Sequence, residues 1–221
     1  MLGEIRMKGL KKHTVCKVMA ICTVLSLLVS SGCGKSKKTR ARIGDEVTFG
    51  TYKDEEIQWI VLDKNDDGVL LLSKYVLDGH EIDFYRDVTW EECSMRAWLN
   101  DEFLNEAFSS GEQNRILTTR VVNQDNPYTG TPGGNDTDDK VFLLSVDEVE
   151  KYVRRIPDRL GQTTRYAETV TYATITHWWL RSRGDNIFYY CVIDLNGTVS
   201  YRDGTVDIGN FGVRPAIWVD L

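Results

Sequence analysis

Short apolar runs bounded by turn residues dominate the chain after residue 43, and no other feature constrains its fold as strongly. Residues 46–52 and 57–64 carry many β-branched and aromatic side chains, and residues 69–77 continue in the same way. Such runs are typical of β-strands, and the Lys-Asn-Asp-Asp-Gly cluster at 64–68 is a turn signal. The sequence therefore predicts an antiparallel three-stranded meander.

Two helical segments follow this meander. Residues 89–100 begin with Thr89 as a helix N-cap and carry Glu92 three residues later, which is the pattern of a capping box. Residues 101–108 predict a second short helix. Apolar side chains recur on one face of the first helix, and we interpret this stripe as core: Trp90, Cys93, Ala97 and Trp98.

A long loop interrupts the middle of the chain. Residues 125–139 are rich in Gly, Pro, Asn and Asp, and short strand runs flank them. Ser145 and Glu148 then form a second capping box at the start of a helix. Residues 154–174 read as irregular, and long loops inside a compact domain are often functional.

Strands return in the final third. Four runs lie between residues 176 and 219, and Asn196-Gly197 between two of them is a strong hairpin signal because both residues tolerate positive φ. The order of elements predicts a single α+β domain over residues 43–221, with antiparallel sheets, two or three helices and long loops.

The last run, 212–219, contains a fixed charge and a residue that lacks an amide donor. Proline in a strand implies an edge or a bulge, and a buried arginine must be paired. We therefore interpret Arg214 and Pro215 as structural, with the guanidinium bridging carboxylates or carbonyls beneath the neighbouring loops.

The head of the chain has a different character. Basic residues precede an apolar stretch at 18–29 that is too short to span a bilayer and has the pattern of a secretory signal. Small residues then precede Cys33, and this arrangement resembles the lipobox of bacterial lipoproteins. The resemblance implies a signal peptide over 1–32, a lipidated Cys33 opening a basic tether over 33–42, and anchorage at the extracellular face of the membrane. An ordinary cleaved signal is the alternative.

Charge restricts the partners of the folded part. The chain has 27 basic and 33 acidic residues; without residues 1–32 it keeps 22 and 32, a formal net charge of −10. Nucleic-acid binding requires a basic face, so we expect no nucleic-acid partner.

Cys93 and Cys191 lie in the folded part, and we favour two buried thiols over a disulfide.

Several motifs occur in a fixed order, among them Trp-Glu-Glu-Cys-Ser-Met-Arg-Ala-Trp-Leu-Asn at 90–100, Trp-Trp-Leu-Arg-Ser at 178–182 and Gly-Val-Arg-Pro-Ala-Ile-Trp at 212–218. The set resembles an uncharacterised domain family on surface proteins and lipoproteins of Gram-positive bacteria. It is also distantly similar to the C-type-lectin-like fold of formylglycine-generating enzymes and of retroelement-diversified display proteins. The resemblance implies a lectin-like domain whose first and last strands pair.

In those display proteins, the region between the Trp-x-x-Arg-Ser strand and the terminal strand carries the ligand contacts. The same region here combines aromatic, arginine and acidic side chains, which is typical of binding surfaces. The candidate ligand-binding residues are Trp178, Arg181, Arg183, Asp185, Asn186, Tyr201, Arg202 and Asp203. The competing interpretation places the tryptophans in the core and the charges on a solvated turn.

Metal and catalytic chemistry find little support in the sequence. Four aspartates of the long loop offer oxygen ligands for calcium, although a solvated acidic loop is the simpler interpretation: Asp125, Asp136, Asp138 and Asp139. A formylglycine-generating oxidase needs two C-terminal cysteines, and this sequence has Cys191 alone there. Nucleophile-elbow, zinc and phosphate-loop motifs are also missing from the sequence.

The sequence thus favours a membrane-anchored recognition module without catalytic activity, which binds a glycan, a peptide or an envelope polymer outside the cell. Two alternatives stay open. One is a hydrolase or modifying enzyme that acts on an envelope polymer, and the other is a display protein diversified by a retroelement. No cofactor is expected besides calcium.

The lipid anchor is directly testable. We expect mass spectrometry of the mature protein to find Cys33 as its first residue, carrying a diacylglyceryl group, because the acyl chains hold the protein to the membrane. A Cys33→Ser variant should lose this mass and leave the membrane fraction, whereas Cys93→Ser should retain both. An unmodified Cys33 in the wild-type chain would contradict the assignment.

Overall fold

The computed structural model describes residues 41–84 and 87–221. The predicted signal peptide, Cys33 and most of the predicted tether lie outside the described residues. Within these ranges the chain is a mixed α+β structure with two five-stranded sheets, two small two-stranded sheets and several short helices. This result confirms the α+β class and the predominance of antiparallel pairing.

The strands are short and lie mostly at the two ends of the described chain. In order they are β1 (Glu46–Tyr52), β2 (Glu55–Lys64), β3 (Val69–Ser73), β4 (Asp78–Gly79), β5 (Thr119–Val121), β6 (Thr137–Asp139), β7 (Val141–Phe142), β8 (Gly161–Gln162), β9 (Ile175–Thr176), β10 (Trp178–Arg183), β11 (Tyr189–Ile193), β12 (Val199–Thr205), β13 (Gly212–Val213) and β14 (Ala216–Val219).

The helices occupy the middle of the chain. They are α1 (Ser94–Trp98), a π-helical segment (Leu99–Phe103), α2 (Leu104–Ala107), α3 (Ser110–Gln113), α4 (Val146–Tyr152), α5 (Ile156–Arg159) and α6 (Arg165–Thr171). None of the helices in the described residues is both long and apolar enough to cross a membrane.

The first five-stranded sheet has the order β1-β2-β3-β14-β7, with antiparallel pairing throughout. Its first three strands are the predicted meander. β1 and β2 are joined by Lys53 and Asp54, whose φ values are 48° and 63°. Two consecutive residues with positive φ are the requirement of a tight hairpin turn that matches the twist of its strands.

The second five-stranded sheet has the order β12-β11-β10-β13-β4. β10 and β13 run parallel, and its other pairings are antiparallel. The predicted Asn196-Gly197 hairpin joins β11 to β12, with Gly197 at φ 79°. The carboxylate of Asp194 accepts hydrogen bonds from the amides of Asn196 and Thr198 at 2.8 and 2.9 Å, which fixes the turn.

The predicted final strand is divided between the two sheets. β13 belongs to the second sheet and β14 to the first, and the chain passes from one to the other at Arg214-Pro215. Proline lacks an amide donor, so the ladder breaks at this point. β14 pairs with β3 and β7, not with β1, which departs from the first-to-last pairing that the lectin-like resemblance implied.

The side chain of Arg214 holds this crossover in place. It is 1% exposed, and its Nε and Nη2 both donate to the carbonyl of Ser73, at 3.1 and 3.0 Å. Nη1 donates to the carbonyl of Asp158, and the guanidinium lies over the ring of Trp178 at 4.7 Å from its centroid. Burial lowers the pKa of Arg214 to about 10, so it stays cationic at neutral pH. The acceptors are carbonyls, one of the two kinds expected.

The helical segment differs from its predicted form. α1 begins at Ser94, five residues after the predicted cap, because the amides of Glu92 and Cys93 bond the carbonyl of Thr89 in a tight turn. α1, the π-helical segment and α2 then run on without a break, so the two predicted helices are one. Ala97, predicted to lie in the core, is exposed. Met95 is fully buried and occupies the core position instead.

The sequence predicts the start of α4 correctly, whereas it does not predict the elements between residues 154 and 174. α4 begins with the predicted capping box, in which Ser145 accepts from the amide of Glu148 and Glu148 accepts from the amide of Ser145. The segment 154–174, which reads as irregular, contains α5, β8 and α6. Thr164 caps α6 through its hydroxyl, a signal that the β-branched residues of this helix obscure.

Tryptophans form much of the core. Trp59, Trp90, Trp178 and Trp179 are fully buried, and each indole N–H has an acceptor, which a buried indole requires. Trp98 is partly buried and stacks on the ring of His80 at 4.7 Å. Both tryptophans of β10 are therefore interior residues, and the strand is covered on both faces.

Removing the Arg214 side chain should destabilise the whole domain. Arg214→Ala leaves a cavity over the Trp178 ring and removes two hydrogen bonds from the carbonyl of Ser73, so we expect a loss of about 3 kcal/mol in the free energy of unfolding. Arg214→Lys keeps the charge but not the planar fork, and should lose less. Urea unfolding measures both. A loss of ligand binding by Arg214→Ala at unchanged stability would contradict the structural role.

Candidate functional site

The eight predicted ligand contacts fall into an interior group and a surface group. Trp178, Arg181 and Arg183 lie on β10 and are buried. The other five lie on the loop 184–188 between β10 and β11 or on β12, and their side chains are partly or fully exposed: Asp185, Asn186, Tyr201, Arg202 and Asp203. The structure thus brings the surface group together at one end of the second sheet.

Two of the interior residues belong to the scaffold. Trp178 donates to the carbonyl of Arg159 at 2.7 Å and lies under Arg214. All three guanidinium nitrogens of Arg181 have acceptors, which include the carboxylate of Glu148 and the carbonyl of Leu143. Neither side chain offers a free polar atom or an exposed face, so we assign both to the scaffold and do not include them in the candidate surface.

Arg183 differs from Arg181 although both are buried. Its Nη2 donates to the carboxylate of Asp87 and to the carbonyl of Ile187, the latter at 2.8 Å. Its Nε is buried and has no hydrogen-bond acceptor among the described residues. Leaving a buried donor of a charged group without an acceptor lowers the free energy of unfolding, so its presence requires a physical explanation.

An ion pair organises the exposed end of the β10–β11 loop. The carboxylate of Asp185 pairs with the guanidinium of Arg202 on β12, and the Asp185 amide donates to the carbonyl of Tyr201 at 3.0 Å. Asn186 donates to the Asp185 carboxylate at 3.0 Å and accepts from the amide of Phe188. Arg202 is largely exposed, so the pair contributes orientation more than stability.

The long loop docks onto the same end of the sheet through Asn126. This side chain is buried and donates to the carbonyl of Arg183 at 2.6 Å and to the sulfur of Cys191 at 3.3 Å. Its oxygen accepts from the amides of Tyr128 and Thr129, at 2.9 and 3.2 Å. Asn126 therefore both shapes the loop and fixes it to β10 and β11.

Docking of the loop places Tyr128 beside Tyr201. Their ring centroids are 5.5 Å apart, and the Tyr128 hydroxyl donates to Glu150 on α4 at 2.7 Å. Tyr128 is 60% exposed. We call Tyr128, Tyr201, Asp185, Asn186 and Arg202 the tyrosine rim.

Both phenols of the rim stay protonated at neutral pH. Burial raises the pKa of Tyr201 to about 12. The hydrogen bond to Glu150 is the main cause that raises the pKa of Tyr128. Each ring therefore offers an uncharged apolar face together with a hydroxyl, a combination that suits recognition surfaces.

Sequence reasoning missed Tyr128 because its partner Tyr201 is 73 positions away. A weak signal existed nonetheless. Asn126-Pro127 is a turn initiator, and an aromatic residue directly after such a turn in a polar loop has no core to fill.

Each of the four aspartates predicted as calcium ligands has a hydrogen-bond or ion-pair partner within the described residues. Within the described residues, no group of three or more His, Cys, Asp or Glu side chains is placed to hold a metal ion. Asp125 accepts from the amide of Gly133, and Asp136 from the amide of Asn123. Arg120 on β5 lies between Asp136 and Asp138, with N–O distances of 3.6 and 3.5 Å.

Asp139 is a structural residue of β6. It is 1% exposed and accepts hydrogen bonds from the indole of Trp90, the hydroxyl of Thr137 and the guanidinium of Arg96. Residues 137–139 form a strand, not the loop that the sequence predicts, since β6 pairs with β5. The carboxylate thus ties the first helix to this small sheet.

The two described cysteines are free thiols. Cys93 and Cys191 are both buried and are not bonded to each other. Burial raises the pKa of each to about 12, so neither is a thiolate at neutral pH. Cys191 donates to the carbonyl of Arg183 at 3.3 Å, which adds to the support of β10.

These features define a class of protein: a mixed α+β domain, mostly antiparallel, that gathers a docked long loop and a strand-to-strand loop at one end of its second sheet. A family model described as a domain of unknown function (DUF6273) matches residues 66–221, and the chain belongs to this family. No curated protein and no solved structure matches the chain.

Asn126 can be tested as the lock of the long loop. Asn126→Ala removes four hydrogen bonds, two of them to buried partners, and should lower the free energy of unfolding by about 2 kcal/mol. We also expect faster chymotryptic cleavage after Tyr128. Asn135→Ala is the matched control, because the Asn135 side chain makes one exposed hydrogen bond, to Glu91 at 2.8 Å. Equal cleavage rates in both variants would contradict the assignment.

Proposed function

We propose that this protein is a recognition module without catalytic activity, which binds an extracellular glycan, peptide or envelope polymer through the tyrosine rim. The paired rings of Tyr128 and Tyr201 carry the proposal. Two adjacent aromatic rings, part exposed and held by separate elements, present apolar area at little conformational cost. Asp185, Asn186 and Arg202 supply polar groups around them.

Rigid support of the rim favours binding. The loop that carries Tyr128 is fixed to β10 by Asn126, and the loop that carries Asp185 is fixed to β12 by the bond between its amide and the Tyr201 carbonyl. Loops held on a rigid scaffold are the usual location of binding residues. A surface that is already ordered loses less entropy when it binds.

We further propose that the domain has a C-type-lectin-like arrangement. Its support is the order of elements: a strand meander, helices, a long loop and then hairpins that lead to a terminal strand. The pairing of β14 with β3 and β7 is a variation on that plan. Four rim residues, Asp185 and Asn186 on the β10–β11 loop and Tyr201 and Arg202 on β12, lie in the region that carries the ligand contacts in the display proteins that the sequence resembles.

The proposed location is the extracellular face of the cell membrane, with Cys33 as the lipidated residue. The support comes from the sequence: the lipobox-like segment, the basic tether and the acidic balance of residues 33–221. A negatively charged body is repelled by an anionic bilayer, so the tether would lie nearest the lipid and the domain would project away from it.

Truncation of both rings is the direct test. We expect the Tyr128→Ala/Tyr201→Ala double variant to lose at least about tenfold in affinity for whichever polymer binds the wild-type chain on glycan and peptide arrays, since aromatic anchors dominate recognition surfaces. The melting temperature should fall only moderately, because Tyr128 is 60% exposed and Tyr201 is only partly buried.

Leu195→Ala is the matched control. Leu195 is also an exposed hydrophobic residue, 51% exposed, but it lies in the β11–β12 turn at the opposite end of β11. This variant should bind like the wild type. Turnover of a polymer in place of stable binding, or unchanged affinity in the double variant, would overturn the proposal and favour an envelope-modifying enzyme.

A further inference from the structure

We propose that Arg183 anchors a carboxylate-binding site, which takes a carboxylate group carried on an apolar body. The inference rests on the proposed binding function, because it assigns a class of ligand to the end of the β10–β11 loop that carries Ile187 and Phe188. The preceding residues of that loop, Asp185 and Asn186, belong to the tyrosine rim.

The guanidinium of Arg183 has unused bonding capacity. The side chain is 6% exposed, yet its Nε–H has no acceptor among residues 41–84 and 87–221. Arg181, two residues earlier on the same strand, has an acceptor for each nitrogen. The contrast shows that β10 can satisfy an arginine fully, so the open position at Arg183 needs its own explanation.

A planar guanidinium presents paired N–H groups that match the two oxygens of a carboxylate. At Arg183, the carboxylate of Asp87 bonds Nη2 alone and leaves Nε open. Asp87 is also 49% exposed, so its side chain has room to turn toward solvent. We interpret Asp87 as a stand-in that keeps the buried charge neutral until the carboxylate of a ligand replaces it.

The surroundings of Arg183 select an apolar ligand body. Ile187, whose carbonyl accepts from Arg183, is 40% exposed, and the next residue, Phe188, is 56% exposed. The Phe188 carbonyl accepts from the amide of Val206, whose own carbonyl accepts from the amide of Asp83. Phe84 follows directly and is 69% exposed. The β10–β11 loop therefore presents two exposed apolar side chains next to the carbonyl that Arg183 bonds, and a third, Phe84, follows a residue that is bonded to the same Val206.

The base of this site is rigid. The carbonyl of Arg183 accepts from Asn126 and Cys191, and the neighbouring Tyr190 donates through its hydroxyl to the carbonyl of Val88 at 3.1 Å. The backbone that carries the guanidinium is thus held from both sides. A ligand would reorganise little more than the Asp87 side chain.

The test uses the full chain in nanodiscs of zwitterionic lipid, with empty nanodiscs as the blank, and titration calorimetry as the measurement. N-acetyl-phenylalanine represents the end of a peptide and 3-phenylpropionate a free apolar acid. N-acetyl-phenylalaninamide, which lacks the carboxylate, is the matched control. We expect binding of at least one acid and none of the amide, and the tighter acid identifies the source of the ligand.

Two variants give opposite signs. Asp87→Asn removes the competing carboxylate and should raise the affinity for the acid about fivefold, the effect of one partly exposed charge pair. Arg183→Lys loses the planar fork and should lower the affinity about tenfold. A gain of affinity cannot result from misfolding, so Asp87→Asn decides the matter even if Arg183→Lys is unstable.

Equal affinity for acid and amide, no binding of either acid, or no gain in Asp87→Asn would each overturn the carboxylate site. These results are distinguishable from failure of the proposed function. If the Arg183 site fails while Tyr128 and Tyr201 still govern polymer binding on the arrays, only this inference is lost. If the arrays fail but the acid binds with the expected variant effects, the Arg183 site stands alone.

Discussion

The buried guanidinium of Arg214 ties together two of the places where the chain passes between its large sheets. One crossover follows β3 and the other is Arg214-Pro215 itself, and they lie side by side, since the amide of Ser73 donates to the carbonyl of Pro215. The Nε and Nη2 of Arg214 both donate hydrogen bonds to the carbonyl of Ser73. Burying a cation is costly unless it is paired and hydrogen-bonded, so the sequence positions of both crossovers are coupled to this one residue.

The consequence of that coupling reaches the candidate site along β10. Trp178, at the start of the strand, lies under the guanidinium of Arg214, and β13 pairs with β10 at this same residue. Arg181 then fixes the strand to α4 through Glu148. By the end of the strand, at Arg183, the long loop and the β10–β11 loop meet. The tyrosine rim thus lies beyond the end of a strand that is held at several points along its length.

The sequence predicts best where a structure depends on neighbouring residues. The Asn196-Gly197 hairpin and the Ser145–Glu148 capping box involve partners within a few positions, and both occur. The Thr89–Glu92 pattern failed because a turn competes for the same amides. Burial of Arg181 and Arg183 could not be foreseen, since their partners Glu148 and Asp87 lie 33 and 96 positions away. An arginine is expected at the surface unless such distant partners are known.

Three buried arginines illustrate how structural and functional roles separate. Arg214 and Arg181 have an acceptor for every guanidinium nitrogen. The acceptors of Arg214 are backbone carbonyls, and those of Arg181 are backbone carbonyls, the Glu148 carboxylate and the side-chain oxygen of Asn123. Arg183 has one nitrogen open and a carboxylate partner that is half exposed. An unpaired guanidinium nitrogen adds nothing to the stability of the fold, and Arg181, two residues earlier, shows that this strand can supply an acceptor for every nitrogen. Folding alone therefore does not explain the unpaired Nε of Arg183, which lies near exposed apolar side chains.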